Sequence, residues 1–324
     1  MCSYNQVNNS QACQNSYTLN YLLKGELGFQ GFVVSDWFGT HAGVSSILAG
    51  LDMTMPGDID SDTGTSFFAA NLTIAVLNGT VPQWRIDDMA VRVMAGFFYV
   101  DRAVERDPIT FSSWTTDTYG PQYYYGGQGP IAKINQHIDV TGNHSTIIRA
   151  LGAASTVLLK NTNGALPLEG TEQLTTVFGE DAVGNFNGPN GCEDRSCDNG
   201  TLAMAWGSGS ANFPYLVTPD TAIQNYVLAN GGNYESVTEN WDLDTVATLA
   251  RRAQDVSGPA IVFVNSNSGE GYLEVDGNLG DRNNLTLWQN GDALITAVAS
   301  ECNNTVSNFR SRLLSTPSPP QREK

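Results

Sequence analysis

Gly31-Phe32-Val33-Val34-Ser35-Asp36-Trp37 is the stretch whose reading decides the fold. Phe32 to Ser35 is aromatic, β-branched or small and carries no charge, which predicts a short buried strand. Gly28 and Gly31 punctuate its start. A carboxylate, Asp36, and an indole, Trp37, stand at its C-terminal end. An ionised carboxylate resists burial without partners, so an acid at the exit of an apolar strand calls for an explanation. Two are open from the residues alone. Asp36 can cap a following helix, predicted from near His41, since Asp is a favoured N-cap residue. It can also do chemistry, because the strand exits of alternating strand–helix barrels form their catalytic face.

Around this stretch the periodicity alternates. Cys2 to Gln6 reads as a strand end opening into a polar loop. Leu19, Leu22, Leu23 and Leu27 give Ser16–Leu27 a helical spacing. Val44, Ile47, Leu48 and Leu51 mark a second helix that Gly50 helps to end. Leu51 to Met55 is a second apolar strand, stopped by Pro56-Gly57. Phe67–Leu77 and Ile86–Val100 are further helices, with Asp87-Asp88 expected in a first turn, where the helix dipole favours anions. Strand, helix, strand, helix is the pattern of a parallel α/β architecture. A closed barrel of this kind needs eight strands, and only three are legible before the pattern stops.

From Glu105 to Gly142 the chain turns aromatic and rich in Gly and Pro, the character of a connector. A second α/β pattern follows. Helices are predicted at His144–Ala154, Thr218–Leu228, Leu243–Ala253 and Asp292–Ser300. Strands are predicted at Ser155–Leu159, Leu174–Phe178 and Ala260–Asn265. After Val306 the text becomes basic and rich in Ser and Pro, which predicts a disordered tail where the pattern demands an apolar strand. The expected organisation is a partial barrel over 1–104, a linker over 105–142, a partial α/β sandwich over 143–306 and an aberrant tail over 307–324.

Charge and cysteine content exclude several function classes. The 324 residues carry a net charge of −17, which argues against binding a nucleic-acid backbone. No apolar run is long enough to span a bilayer. No phosphate loop or Gly-x-Gly-x-x-Gly fingerprint occurs, so no nucleotide cofactor is expected. Five cysteines leave an odd count. Cys2 and Cys13 bracket one polar loop and Cys192 and Cys197 another, which suits two short disulfides with Cys302 left over. Zinc is the competing reading, but the spacing is not CxxC and three histidines are few to complete a site. Asn8, Asn71, Asn78, Asn143, Asn199, Asn284 and Asn303 each open an Asn-x-Ser/Thr triplet. Their density and the cysteine spacing favour a secreted parent, although no signal peptide follows Met1.

Met1-Cys2-Ser3-Tyr4-Asn5, Leu27-Gly28-Phe29-Gln30-Gly31-Phe32-Val33-Val34-Ser35-Asp36-Trp37 and Ala49-Gly50-Leu51-Asp52-Met53-Thr54-Met55-Pro56-Gly57 together resemble the family 3 glycoside hydrolases. The likeness is to their secreted fungal β-glucosidase branch. It runs from Met1 to about Val306 and implies the C-terminal part of a TIM-like (β/α)8 barrel followed by an α/β sandwich. In that family the Asp of Ser-Asp-Trp is the catalytic nucleophile, a role the resemblance places on Asp36. Ser268-Gly269-Glu270-Gly271-Tyr272, with Asp276-Gly277-Asn278 and Asp281-Arg282-Asn283-Asn284-Leu285 behind it, is similar to the segment holding the acid/base, which falls on Glu270. From the residues alone Glu270 is a loop acid on flexible glycine backbone.

Retaining glycoside hydrolysis sets two carboxyls about 5 Å apart around one sugar bond, one attacking and one donating then recovering a proton. The resemblance further implies substrate contacts at Tyr4, Trp37 and Tyr272, no metal and no cofactor. Asp52, Asp58 and His41 are read as structural. The implied partner is an oligosaccharide or β-glucoside, and the implied activity is release of terminal β-D-glucosyl units. β-Xylosidase or exo-glucanase activity in the same family, or a truncated non-catalytic carbohydrate-binding protein, are the rivals. Family residues that grip the sugar upstream have no counterpart here, so the chain is expected to be an incomplete copy with little activity alone.

Overall fold

The computed structural model describes residues 1–60, 63–102, 112, 115–122, 129–191, 199–204, 211–266 and 282–311. Two compact units divide at residues 153 and 154.

In the first unit three extended segments run parallel. Single-residue bridges join Cys2 to Ser35 and Val34 to Met53, so the Val33–Ser35 segment lies between the other two. These are isolated bridges and not regular strands, because helices and turns enter within two or three residues on either side. The crossover from the first segment to the second is a π-helix, Tyr17–Glu26. The Leu27 N–H donates five residues back to Leu22 O at 2.9 Å. The crossover from the second to the third is α1, Val44–Ala49, which ends on Gly50 with φ +113°. That left-handed C-cap is open to glycine at little cost. Leu19, Val33, Leu51, Ala12 and the Cys2–Cys13 disulfide form the core beneath.

Helices α2, Ala69–Leu77, and α3, Gln83–Tyr99, close a second cluster around Ile47, Val81 and Met89. Because α3 begins at Gln83, Asp87 and Asp88 fall outside its first turn. Asp88 is held by Arg85 and Arg92, not by the helix terminus. Within the predicted connector, β3 (Tyr119–Pro121) and β4 (Ile131–Lys133) make a short antiparallel hairpin. A two-stranded ribbon, β1 (Gln6–Val7) with β2 (Ser10–Gln11), closes the Cys2–Cys13 loop. Helix α4, His144–Ala154, ends at the boundary between the units.

Among the described residues, the second unit is a four-stranded, all-parallel sheet in the order β6 (Asn233–Val237), β5 (Leu174–Phe178), β7 (Ala260–Ser266), β8 (Thr305–Ser311). Strands β5 (Leu174–Phe178) and β7 (Ala260–Ser266) are central and buried throughout, as continuous apolar runs in parallel sheets are. Phe178, Val262 and Val264 pack on α6 (Leu243–Asp255) and α7 (Gly291–Glu301). Val177, Ile261 and Phe263 face the opposite way, toward Leu168 and Ile223 of α5 (Pro219–Ala229). Thr218 caps α5 and Asp242 caps α6, each accepting from the N–H three residues on.

Two further expectations are corrected. Ser155–Leu159 forms no strand: Val157, Leu158 and Leu159 are exposed, and no strand of the sheet pairs with them. The tail is not disordered from 307, because Thr305–Ser311 is β8, paired with β7 over seven positions. Its polar residues are tolerated at a sheet edge, where one side of the ladder has no neighbour among the described residues. Residues 312–324 lie outside the described residues. The edge strand β6, Asn233–Val237, was not foreseen.

Candidate active site

All three parallel segments of the first unit exit at the same end. Tyr4, Asp36 and the Met55-Pro56 step therefore follow one another around that end, each one to three residues beyond a bridge. The geometry around Asp36 is built almost wholly from backbone. Its N–H donates to Cys2 O at 3.0 Å and its C=O accepts from Gly39 N–H at 2.9 Å. The neighbouring Ser35 N–H donates to Met53 O at 3.0 Å, and the Ser35 hydroxyl accepts from Met55 N–H at 2.9 Å. Phe38 N–H reaches Met55 O at 2.9 Å. Gly39 suits the turn that follows, since a Cβ there would stand 3.2 Å from Asp36 O.

Asp36 caps no helix. Its Oδ1 accepts from the Trp37 N–H at 2.8 Å, while α1 begins only at Val44 with Gly43 before it. The carboxylate is half-buried, and Trp37 and Tyr4 are 49% and 56% exposed. The end of the segments thus presents one acid and two large aromatics, the composition of a surface that can take a sugar face and attack beside it. Glu270 and Tyr272 lie outside the described residues, as do Cys192 and Cys197.

Beneath Asp36 sits a charged network that sequence reasoning underrated. The Asp52 side chain is fully buried between Lys24 Nζ at 2.8 Å and Arg85 Nη2 at 2.7 Å. Its other oxygen accepts from Val33 N–H at 2.8 Å, three residues before Asp36. Arg85 also donates to Ile47 O and Leu51 O, both at 2.8 Å, and Lys24 donates to Gly50 O at 2.7 Å. The two cations therefore collect the carbonyls left open where α1 ends. Burial pushes the Lys24 ammonium down, against the upward pull of its hydrogen bond to Asp52. The sequence marks Asp52 only as structural, and Lys24 and Arg85 carry no sequence signal, since each is one cation on a helical pattern.

Among the described residues no group of three or more His, Cys, Asp or Glu is arranged to hold a metal ion. No helix there is long and apolar enough to cross a membrane.

Comparison with known proteins gives the same frame. Residues 1–95 match the glycosyl hydrolase family 3 N terminal domain, and residues 156–314 match the glycosyl hydrolase family 3 C-terminal domain. Probable beta-glucosidase A of Aspergillus niger is 63% identical over 306 residues, covering 94% of this chain and 35% of that protein. Beta-glucosidase 1 of Aspergillus aculeatus shows the same identity and coverage. Among solved structures, a family 3 β-glucosidase from Neurospora crassa superposes with a TM-score of 0.87 at 55% identity, over 94% of this chain and 36% of that one. A Chaetomium thermophilum β-glucosidase gives 0.87 at 57% identity, over 95% and 36%. The chain spans 35% of the length of the curated relatives it matches. With both family domains matched in order, and with this identity over 94% of its length, the chain belongs to glycosyl hydrolase family 3.

Proposed function

We propose that this chain carries the catalytic carboxyls of a retaining β-glucosidase, with Asp36 as nucleophile and Glu270 as acid/base. The proposal extends the fold as well: the three parallel segments are part of a (β/α)8 barrel, and the all-parallel sheet is part of an α/β sandwich. The oligosaccharide or β-glucoside substrate stacks on Trp37 and meets Tyr4 and Tyr272, and the parent protein is secreted. The observation that carries the reading is the clamp on Asp36. Its backbone is bonded on both sides, it does no capping, and its carboxylate stands beside exposed aromatics at a common segment exit. In the retaining mechanism such a carboxylate attacks the anomeric carbon while a second carboxyl protonates the leaving oxygen, then activates water against the glycosyl-enzyme ester.

The test is a transplant. The 306 matching residues of this chain replace their counterparts in the Aspergillus aculeatus relative. The expected result is hydrolysis of p-nitrophenyl β-glucoside, with Asp36→Asn abolishing turnover. Glu270→Gln should cripple alkyl glucosides more than aryl glucosides, whose leaving groups need less protonation. Full activity with Asp36→Asn would refute the nucleophile assignment. A preference for p-nitrophenyl β-xyloside would move the reading to the xylosidase branch.

A further inference from the structure

In the second unit the chain leaves β5 for β6 on one side and later returns to β7 on the other. The crevice between the C-terminal ends of β5 and β7 is therefore a topological switch point, the place where open parallel sheets do their work. Gly179 opens the turn after β5 with φ +106°, and a Cβ there would come within 2.0 Å of Phe263 O. That close approach brings the next two residues, Glu180 and Asp181, against the end of β7.

The Asp181 side chain is fully buried. Its Oδ1 accepts from Leu202 N–H at 2.7 Å and from Asn265 Nδ2 at 3.1 Å. Its Oδ2 has no hydrogen-bond partner among the described residues and faces Arg310 of β8, whose Nε is 3.5 Å away. That is too long for a good charge-assisted bond. Asn265 is the penultimate residue of β7 and holds a second acid weakly, donating to Glu180 Oε1 at 3.4 Å. Its carbonyl accepts from Trp288 N–H at 3.0 Å, and Ser266 is tied to Thr286 O at 2.8 Å. Among the described residues, the charged groups facing this end are Glu180 from the turn after β5, whose Oε2 takes Gly200 N–H, Arg310 from β8, and Arg282, which reaches toward Ser266 O at 3.5 Å.

We propose that Asp181 is a positioning residue whose protonation state sets how firmly the exit of β7 is held. Ionised, Asp181 is a strong acceptor for Asn265 and Leu202 and an opposite charge to Arg310. A proton on Oδ2 removes the charge, weakens both bonds at Oδ1 and releases Arg310. Glu270 follows Ser266 by four residues in sequence, so on the reading above the same proton tunes the platform from which the acid/base departs. Burial raises the Asp181 carboxyl from the ordinary range to about 6, against the pull of Arg310 and the Leu202 and Asn265 hydrogen bonds. The switch thus lies where a mildly acidic medium would work it.

The test uses the full chain and needs no turnover. The Asn265 side-chain amide and the Leu202 backbone amide are followed by 15N NMR from pH 4.5 to 7.5. Both resonances should titrate together with a midpoint near 6. Asp181→Asn should flatten both curves. Arg310→Gln, which keeps the carboxyl, should move the midpoint upward, and serves if Asp181→Asn does not fold. Flat wild-type curves, or curves unchanged in Asp181→Asn, would overturn the proposal. Loss of activity on Glu270→Gln belongs to the transplant, so a wrong acid/base and a wrong clamp fail in different experiments.

Discussion

The Asp52 carboxylate accepts a hydrogen bond from the Val33 N–H at 2.8 Å, across the gap between two parallel segments. The same side chain is shared by Lys24 and Arg85 with no exposure to solvent. A buried acid that satisfies two cations and one backbone donor fixes the register of the segment that ends in Asp36.

Asp52→Ala should therefore be among the most damaging single changes in the first unit. It strands two cations in the interior, a loss on the order of 3–5 kcal/mol. Asp52→Asn should cost less, since an amide oxygen can still take the Val33 N–H. Urea denaturation of the three proteins checks the order, and equal midpoints would show that the network contributes nothing.

Asp181 predicts a pH dependence of stability. Its folded value is raised to about 6 from 3.8, so between those values the folded state binds more protons than the unfolded one. Stability should then fall as pH rises through that window and level off above it. The ionised side chain costs at most about 3 kcal/mol at pH 7. Asp181→Asn should raise the urea midpoint at pH 7 and leave it nearly unchanged at pH 4. A variant less stable than wild type at pH 7 would contradict that sign.

The Cys2–Cys13 disulfide closes a loop of sequence separation 11 next to the Asp36 segment. Its removal by the double change Cys2→Ser, Cys13→Ser should cost about 3 kcal/mol on the chain-entropy model. Thermal unfolding with and without reductant measures it. The buried thiol of Cys302, which burial holds above the usual thiol range, should resist alkylation in the native state.

All seven asparagines of the Asn-x-Ser/Thr triplets are exposed. Expression through a secretory host should yield glycans at these sites, read by peptide mass spectrometry before and after enzymatic deglycosylation. Unmodified peptides at all seven would remove the main support for a secreted parent.

Much of the frame was legible because burial on both faces writes itself as unbroken apolar sequence. Leu174–Phe178 and Ala260–Ser266 are such runs, and the amphipathic helices that cover them repeat at helical spacing. Edge strands obey no such rule. Asn233–Val237 and Thr305–Ser311 are paired on one side by β5 and β7, so polar residues and even Arg310 fit there and hide the strand. Ser155–Leu159 errs in the opposite sense, with the right residues and no partner among the described strands. At the site, the sequence shows Asp36 at the exit of an apolar segment, and the structure places it there; its catalytic role comes from the family resemblance and is the proposal made above. The roles of Lys24 and Arg85 were not legible, because they depend on distances across 28 and 33 residues of chain.

The main chain at Asp36 has both its donor and its acceptor engaged, to Cys2 and Gly39. What stays adjustable is two side-chain torsions, one oxygen of which is already steered by the Trp37 amide. In the proposed reaction the angle of approach to carbon would be settled during folding, and little orientational entropy would remain to be surrendered when a sugar arrives.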